Sequence, residues 1–71
     1  MCLSTVFIEK DLRRVEAMQN VARMESQEDG FVLIGLLGQE KFVRGKIKRI
    51  DFMDQHIVEI DGPFPETDPE E

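Results

Sequence analysis

The side chains able to do chemistry are few, and the most capable stands at the start of the sequence. Cys2 is the only cysteine and follows Met1 directly. Methionine is commonly trimmed when the next side chain is small, and trimming would leave a free α-amine on the residue that carries the thiol. Amine and thiolate then close a five-membered chelate ring on one metal ion. With Met1 retained, its amine, the Cys2 amide nitrogen and the Cys2 sulfur form a fused chelate of the same kind. Strong-field N,S donors suit square-planar or tetragonal Ni(II) or Cu(II), whereas a closed tetrahedral zinc site asks for more cysteines. A single terminus leaves such a site incomplete, and a two-fold dimer completes it with one metal per dimer. An ordinary thiol is the plainer reading of a lone cysteine, and the residue by itself leaves both open.

His56 is the only histidine. It is a candidate additional ligand, although a polar residue at the start of a strand explains it as well, and nothing in the sequence places it near Cys2. Met18, Met24 and Met53 are spaced irregularly and read as packing residues rather than soft-metal ligands. The catalytic inventory is poor. Tyrosine and tryptophan are absent, Ser4 and Thr5 have no nearby base, and Gly35 and Gly38 belong to hairpins rather than a phosphate-binding loop. Without a nucleophile, a base and an orienting group, the chain reads as a binding protein and not an enzyme. A second binding feature is basic. Arg44, Lys46 and Lys48 recur every second residue, with Lys41 and Arg49 beside them, so an extended strand would align the first three on one face. Small barrels with such faces bind RNA. No aromatic is interleaved for base stacking, and a solvated charged face is the plainer account.

The elements that must position these residues are short and mostly extended. Residues 3–8 alternate, with Ser4, Val6 and Ile8 on one side, and their β-branched content favours a strand. Residues 12–27 are ambiguous. Leu12, Val15, Met18 and Val21 recur every three residues in a stretch of good helix formers. The competing reading is two short strands, residues 13–18 and 21–25, bent at Asn20. Asp29-Gly30 signals a hairpin. Residues 31–37 are apolar on both faces and read as a central strand. Gly38-Gln39 turns the chain, and residues 41–51 alternate Val43, Gly45 and Ile47 against the basic row. Gly45 inside that run predicts a bulge or sharp bend that curls a small sheet. Asp54-Gln55 marks another turn before His56, Val58 and Ile60 share one face of a last strand. The expected fold is all-β, a small barrel or roll of five to six short antiparallel strands.

Size and charge set further limits. A 71-residue chain makes one domain, and a domain of this size buries only about 60% of the surface its unfolded chain exposes. Such a core needs a supplement, and a lone cysteine excludes an internal disulfide, which leaves a second subunit or a metal. The lone cysteine and the lack of a secretory signal suggest a reducing cytoplasmic setting, and the longest apolar run is too short for a membrane span. The net charge of −6 is concentrated at the end. The last eleven residues hold five acids and no base, while residues 1–60 hold ten acids and nine bases. With three prolines, residues 62–71 read as a flexible acidic tail on a domain of residues 1–61. The tail keeps a small oligomer soluble, or docks through Phe64, its one anchor candidate.

Several segments, taken in order, resemble one known family. They are Met1-Cys2; Val6-Phe7-Ile8-Glu9-Lys10; Val21-Ala22-Arg23-Met24-Glu25; and Phe31-Val32-Leu33-Ile34-Gly35-Leu36-Leu37-Gly38-Gln39-Glu40-Lys41. Gly45-Lys46-Ile47-Lys48-Arg49-Ile50-Asp51 and His56-Ile57-Val58-Glu59-Ile60 complete the set. Together they resemble the CooT family of small bacterial and archaeal proteins. The resemblance implies a β-rich homodimer that binds nickel and supplies it to carbon monoxide dehydrogenase. It also implies that the ligand is the cysteine directly after the start, Cys2 here, and it turns residues 12–27 toward strands. Related sequences also carry an RNA-binding label, so the alternative is a small RNA-binding barrel using residues 41–49. The expected cargo is Ni(II), about one per dimer, released to a nickel enzyme, with no membrane or nucleic acid involved.

Overall fold

The computed structural model describes residues 3–64. They form six strands and no helix: β1 (Ser4–Lys10), β2 (Arg13–Gln27), β3 (Gly30–Gly35), β4 (Glu40–Arg44), β5 (Lys46–Asp51) and β6 (Ile57–Asp61). All lie in one sheet of order β4-β3-β2-β1-β6-β5. The alternation of β1 is realised, with Val6 and Ile8 fully buried. A two-residue turn at Asp11 and Leu12, both at positive φ, leads from β1 into β2. That is the primed geometry that matches strand twist.

The ambiguous stretch is extended throughout. It forms one continuous strand rather than two, and the bend falls at Asn20, with φ 56°. Before the bend β2 pairs antiparallel with β1; after it, β2 pairs antiparallel with β3. Val21 is the hinge, opposite Ser4 on one side and Gly35 on the other. The helical period loses because the segment is paired with β1 up to the bend and with β3 beyond it, and tertiary pairing outweighs a few tenths of a kcal/mol per residue of propensity. Asparagine tolerates the left-handed conformation that the bend requires.

The β2–β3 turn occupies Glu28 and Asp29, one residue before the Asp29-Gly30 signal. Gly30 serves close approach instead, since a Cβ there would meet the Val43 carbonyl oxygen. β3 is internal but not central, and it ends at Gly35. Leu36 and Leu37, expected inside the strand, lie in the turn that follows. That turn is closed by Gly35 N–H donating to Gln39 O at 2.8 Å and Gly38 N–H donating to Gly35 O at 3.0 Å.

Two features differ from an antiparallel barrel. The sheet is an open roll, because β4 and β5 lie at opposite edges and pair with β3 and β6, not with each other. And β1 and β6 are parallel. Both follow from Gly45, at φ 129°, the only residue between β4 and β5. It throws the chain from one edge of the sheet to the other. The β5–β6 hairpin then sets the direction of β6 before it reaches β1. For one residue to join two edge strands, the sheet must fold over itself. Gly45 N–H donates to Asp29 O at 3.1 Å, and Lys41 Nζ of β4 donates to Ala17 O of β2 at 3.1 Å. The interior of the roll is one cluster: Val6, Ile8, Ala17, Val21, Leu33, Val43, Val58 and Ile60. β5 sends no side chain fully into it. Beyond β6, Phe64 packs against the cluster, with the Arg13 guanidinium 5.3 Å from its ring centroid. No helix among the described residues is long and apolar enough to cross a membrane.

Candidate functional site

Cys2 and Met1, the expected metal donors, lie outside the described residues, as does the acidic segment after Phe64. What is described is the place from which the amino terminus starts. β1 is held on both flanks from its first residues: Ser4 pairs with Val21 of β2, and Thr5 pairs with Ile57 of β6. Thr5 N–H also donates to His56 O at 3.1 Å. His56 is half-buried with φ 52° and opens β6 beside the first residues of β1. More than fifty residues of sequence separation hid that neighbourhood. The parallel β1–β6 pairing creates it, and no local signal reports such pairing.

The β5–β6 loop is fixed from Asp51. Its Oδ1 accepts Met53 N–H at 2.9 Å and Asp54 N–H at 3.1 Å, and Arg49 lies 3.7 Å from Oδ2. The two backbone hydrogen bonds, Arg49 and nearby His56 hold the Asp51 carboxyl below the ordinary range. Among the described residues no three His, Cys, Asp or Glu side chains converge as a metal site.

Gly45 divides the basic row, placing Lys41 and Arg44 on β4 and Lys46, Lys48 and Arg49 on β5. Most of these cations are engaged. Lys41 bonds a backbone carbonyl, Arg44 lies 3.8 Å from Asp29, and Lys48 Nζ lies 2.6 Å from Glu9 Oε1. A register shift between Ile47 and Arg49 breaks the alternation; Lys48 reaches Glu9 of β1 and Arg49 reaches Glu59 of β6. A β-bulge of this kind turns two consecutive residues toward one side of a sheet.

The dominant polar feature is one the sequence reading missed. Glu59 is 4% exposed, on β6 between the buried Val58 and Ile60. Arg49 grips it with two hydrogen bonds, Nε to Oε1 at 3.2 Å and Nη2 to Oε2 at 2.9 Å, and Arg14 Nη1 adds a third at 3.3 Å. Arg14 also lies over the Phe7 ring, 3.8 Å from its centroid. An acid flanked by apolar residues on a strand was the available signal; its partners on β2 and β5 were not legible. The hydrogen bonds from Arg49 come first among the causes that hold the Glu59 carboxyl below its ordinary value. A depressed carboxyl stabilises the fold fully above the unfolded pKa, about 4.3, and loses that contribution as pH falls through the folded value. Urea denaturation of Glu59→Gln should therefore show lower stability at neutral pH and a flatter acid limb than the unaltered protein. Identical pH profiles for the two would remove Glu59 from the account.

These features define a small, open, all-β roll whose outer face is tied by ion pairs across its strands. The chain belongs to the CooT family: the family described as CO dehydrogenase accessory protein CooT matches residues 1–58. A crystal structure reported as a candidate CooT from Carboxydothermus hydrogenoformans superposes with a TM-score of 0.78 at 25% identity, over 89% of this chain and 100% of that one. No curated protein matches the sequence.

Proposed function

We propose that this accessory protein carries nickel to an enzyme of the carbon monoxide dehydrogenase kind. The Cys2 thiolate and the terminal amine, or the Cys2 backbone nitrogen, hold the ion, and a second copy of the chain supplies the remaining donors. One nickel ion per dimer follows. The observation that carries the reading is the family match, which includes Met1-Cys2, joined to a strand anchored from Ser4 onward. One residue separates Cys2 from that strand, so the chain behind the donors is fixed. His56, beside the same strand end, is the candidate additional ligand. Among the described residues eight large apolar side chains are exposed and leave surface for the second copy.

A carrier must release its cargo, so its fold should not depend on the metal. Nickel titration followed by NMR should change signals from residues around Cys2 and leave the rest of the spectrum in place. A global folding transition on adding nickel would make the ion structural and sink the carrier reading.

A further inference from the structure

Asp51, Ile57 and Thr5 stand in one row across three strands. Asp51 at the end of β5 pairs with Ile57 of β6, which pairs with Thr5 of β1. Because β6 runs parallel to β1 and antiparallel to β5, the β5–β6 loop and the amino terminus leave this row on the same side. Neighbouring strands lie about 4.8 Å apart, so Asp51 is about 10 Å from Thr5. The loop that follows Asp51 holds two large apolar side chains in water: Phe52 is 74% exposed and Met53 88%. Its backbone is pinned, because Asp51 Oδ1 accepts the N–H groups of Met53 and Asp54 and the His56 carbonyl accepts Thr5 N–H. Methionine and phenylalanine are enriched at protein interfaces, and methionine adapts to irregular surfaces.

The same row limits where two termini can meet. A chain spans at most about 3.6 Å per residue, so Cys2 reaches no further than about 11 Å from Thr5. Two copies that hold one ion through Cys2 therefore bring this end of each within that reach, and the loop rises from the same row about 10 Å to the side. The outer edge of β5 is a poor alternative. It carries Lys46, Lys48 and Arg49 and a register shift after Ile47, and charge and bulges keep an edge strand from pairing with a copy of itself. Residues 52–55 include one charged side chain, Asp54, so two like surfaces meet little like charge across a two-fold axis. We propose that Phe52 and Met53 are the apolar contact by which two copies of this chain join around their amino termini. The proposal rests on the nickel-carrier reading, which brings two termini to one ion, and adds what holds the copies together. The loops do so and the ion does not, so nickel enters and leaves a dimer that stays assembled.

The test is sedimentation equilibrium of the full chain, stripped of metal with a chelator, over a range of concentrations. The unaltered protein should be a dimer without nickel. The double variant Phe52→Ser, Met53→Ser should weaken dimerisation roughly tenfold or more, as removal of central anchors does. Met53→Glu, which sets an acid at the same place in both copies, should do the same. Cys2→Ser should remain dimeric, and so should Leu12→Ser, which alters a fully exposed leucine in the β1–β2 turn. Both loop side chains lie in solvent, so circular dichroism of the loop variants should match that of the unaltered protein. A metal-free monomer overturns the proposal, because the ion is then what joins the copies. So does a dimer indifferent to the loop variants, because the second copy then sits elsewhere. Nickel titrated into Cys2→Ser tests the carrier reading separately. Unchanged affinity there, with dimerisation still lost in the loop variants, is a failure of the metal assignment and not of the contact.

Discussion

Replacing Cys2 by Ser is expected to lower nickel affinity by about 100-fold or more, the largest effect of any single substitution on the proposed function. Loss of an outer-shell group around a metal commonly costs 10–100-fold, and loss of the one soft ligand should exceed that range. The thiolate is also the charged member of the donor set, so its removal takes both a bond and a negative charge from the ion. Affinity for nickel should rise with pH in the unaltered protein, because thiol and amine must each lose a proton before they bind. Their ordinary pKa values are about 8.5 and 7.7–8.0. Serine should flatten that dependence. A few residues added ahead of Met1 should weaken binding while keeping the thiol, since the chelating amine is then no longer terminal. Competition titrations with a chromophoric chelator measure all three proteins. A Cys2→Ser protein that binds nickel as the original does removes the terminus from the site.

The largest structural effect is expected at Gly45. Alanine there should remove about 3 kcal/mol or more of stability, against a total of roughly 4–11 kcal/mol for a chain of this length. Two independent penalties combine. The φ of 129° is one that L side chains rarely adopt, and a Cβ would press on the Asp61 carbonyl oxygen and come within 2.8 Å of the Ile60 Cγ2. Relief is blocked, because Gly45 alone joins the two edge strands and Gly62 lies against it: a Cβ on Gly62 would fall 2.5 Å from the Arg44 carbonyl oxygen. Gly38→Ala is the control. Its φ is 90°, but open space surrounds it within 4 Å, so only backbone strain of about 1 kcal/mol is expected. Each kcal/mol moves the melting temperature by about 4–8 °C in a domain of this size. Thermal melts that place Gly45→Ala above or level with Gly38→Ala would contradict the account of the bend.

Particular residues show where a sequence reading holds and where it stops. The strand character of Ser4, Val6 and Ile8 was legible because alternation with period two is local and survives in any sheet. Gly45 was legible as a bend, because glycine inside an alternating apolar run has few other uses. Residues 31–37 looked uniformly like strand, yet Leu36 and Leu37 lie in the turn; apolar content reports burial only on average. The basic residues 41–49 looked like a stripe because a period of two assumes an unbroken strand. A positive φ at Gly45 and a bulge at Lys48 separate them into two edges and one set of ion pairs.

The sequence by itself determined the bend at Gly45 and the lone thiol next to the start, each carried by residue type or by spacing within a few positions. The family, and with it the strand reading of residues 12–27 and the bend at Asn20, rested on the ordered set of segments between Met1 and Ile60. Only the tertiary structure decided that β6 runs parallel to β1, that the sheet rolls without closing, and that Glu59 sits between Arg14 and Arg49. It also decided that His56 stands beside the strand that follows Cys2. Those relations join residues ten to more than fifty positions apart, and they are set by which backbone edges find hydrogen-bond partners once the chain is folded. Local periodicity specifies that a segment has edges and faces; it does not specify which other segment lies against them.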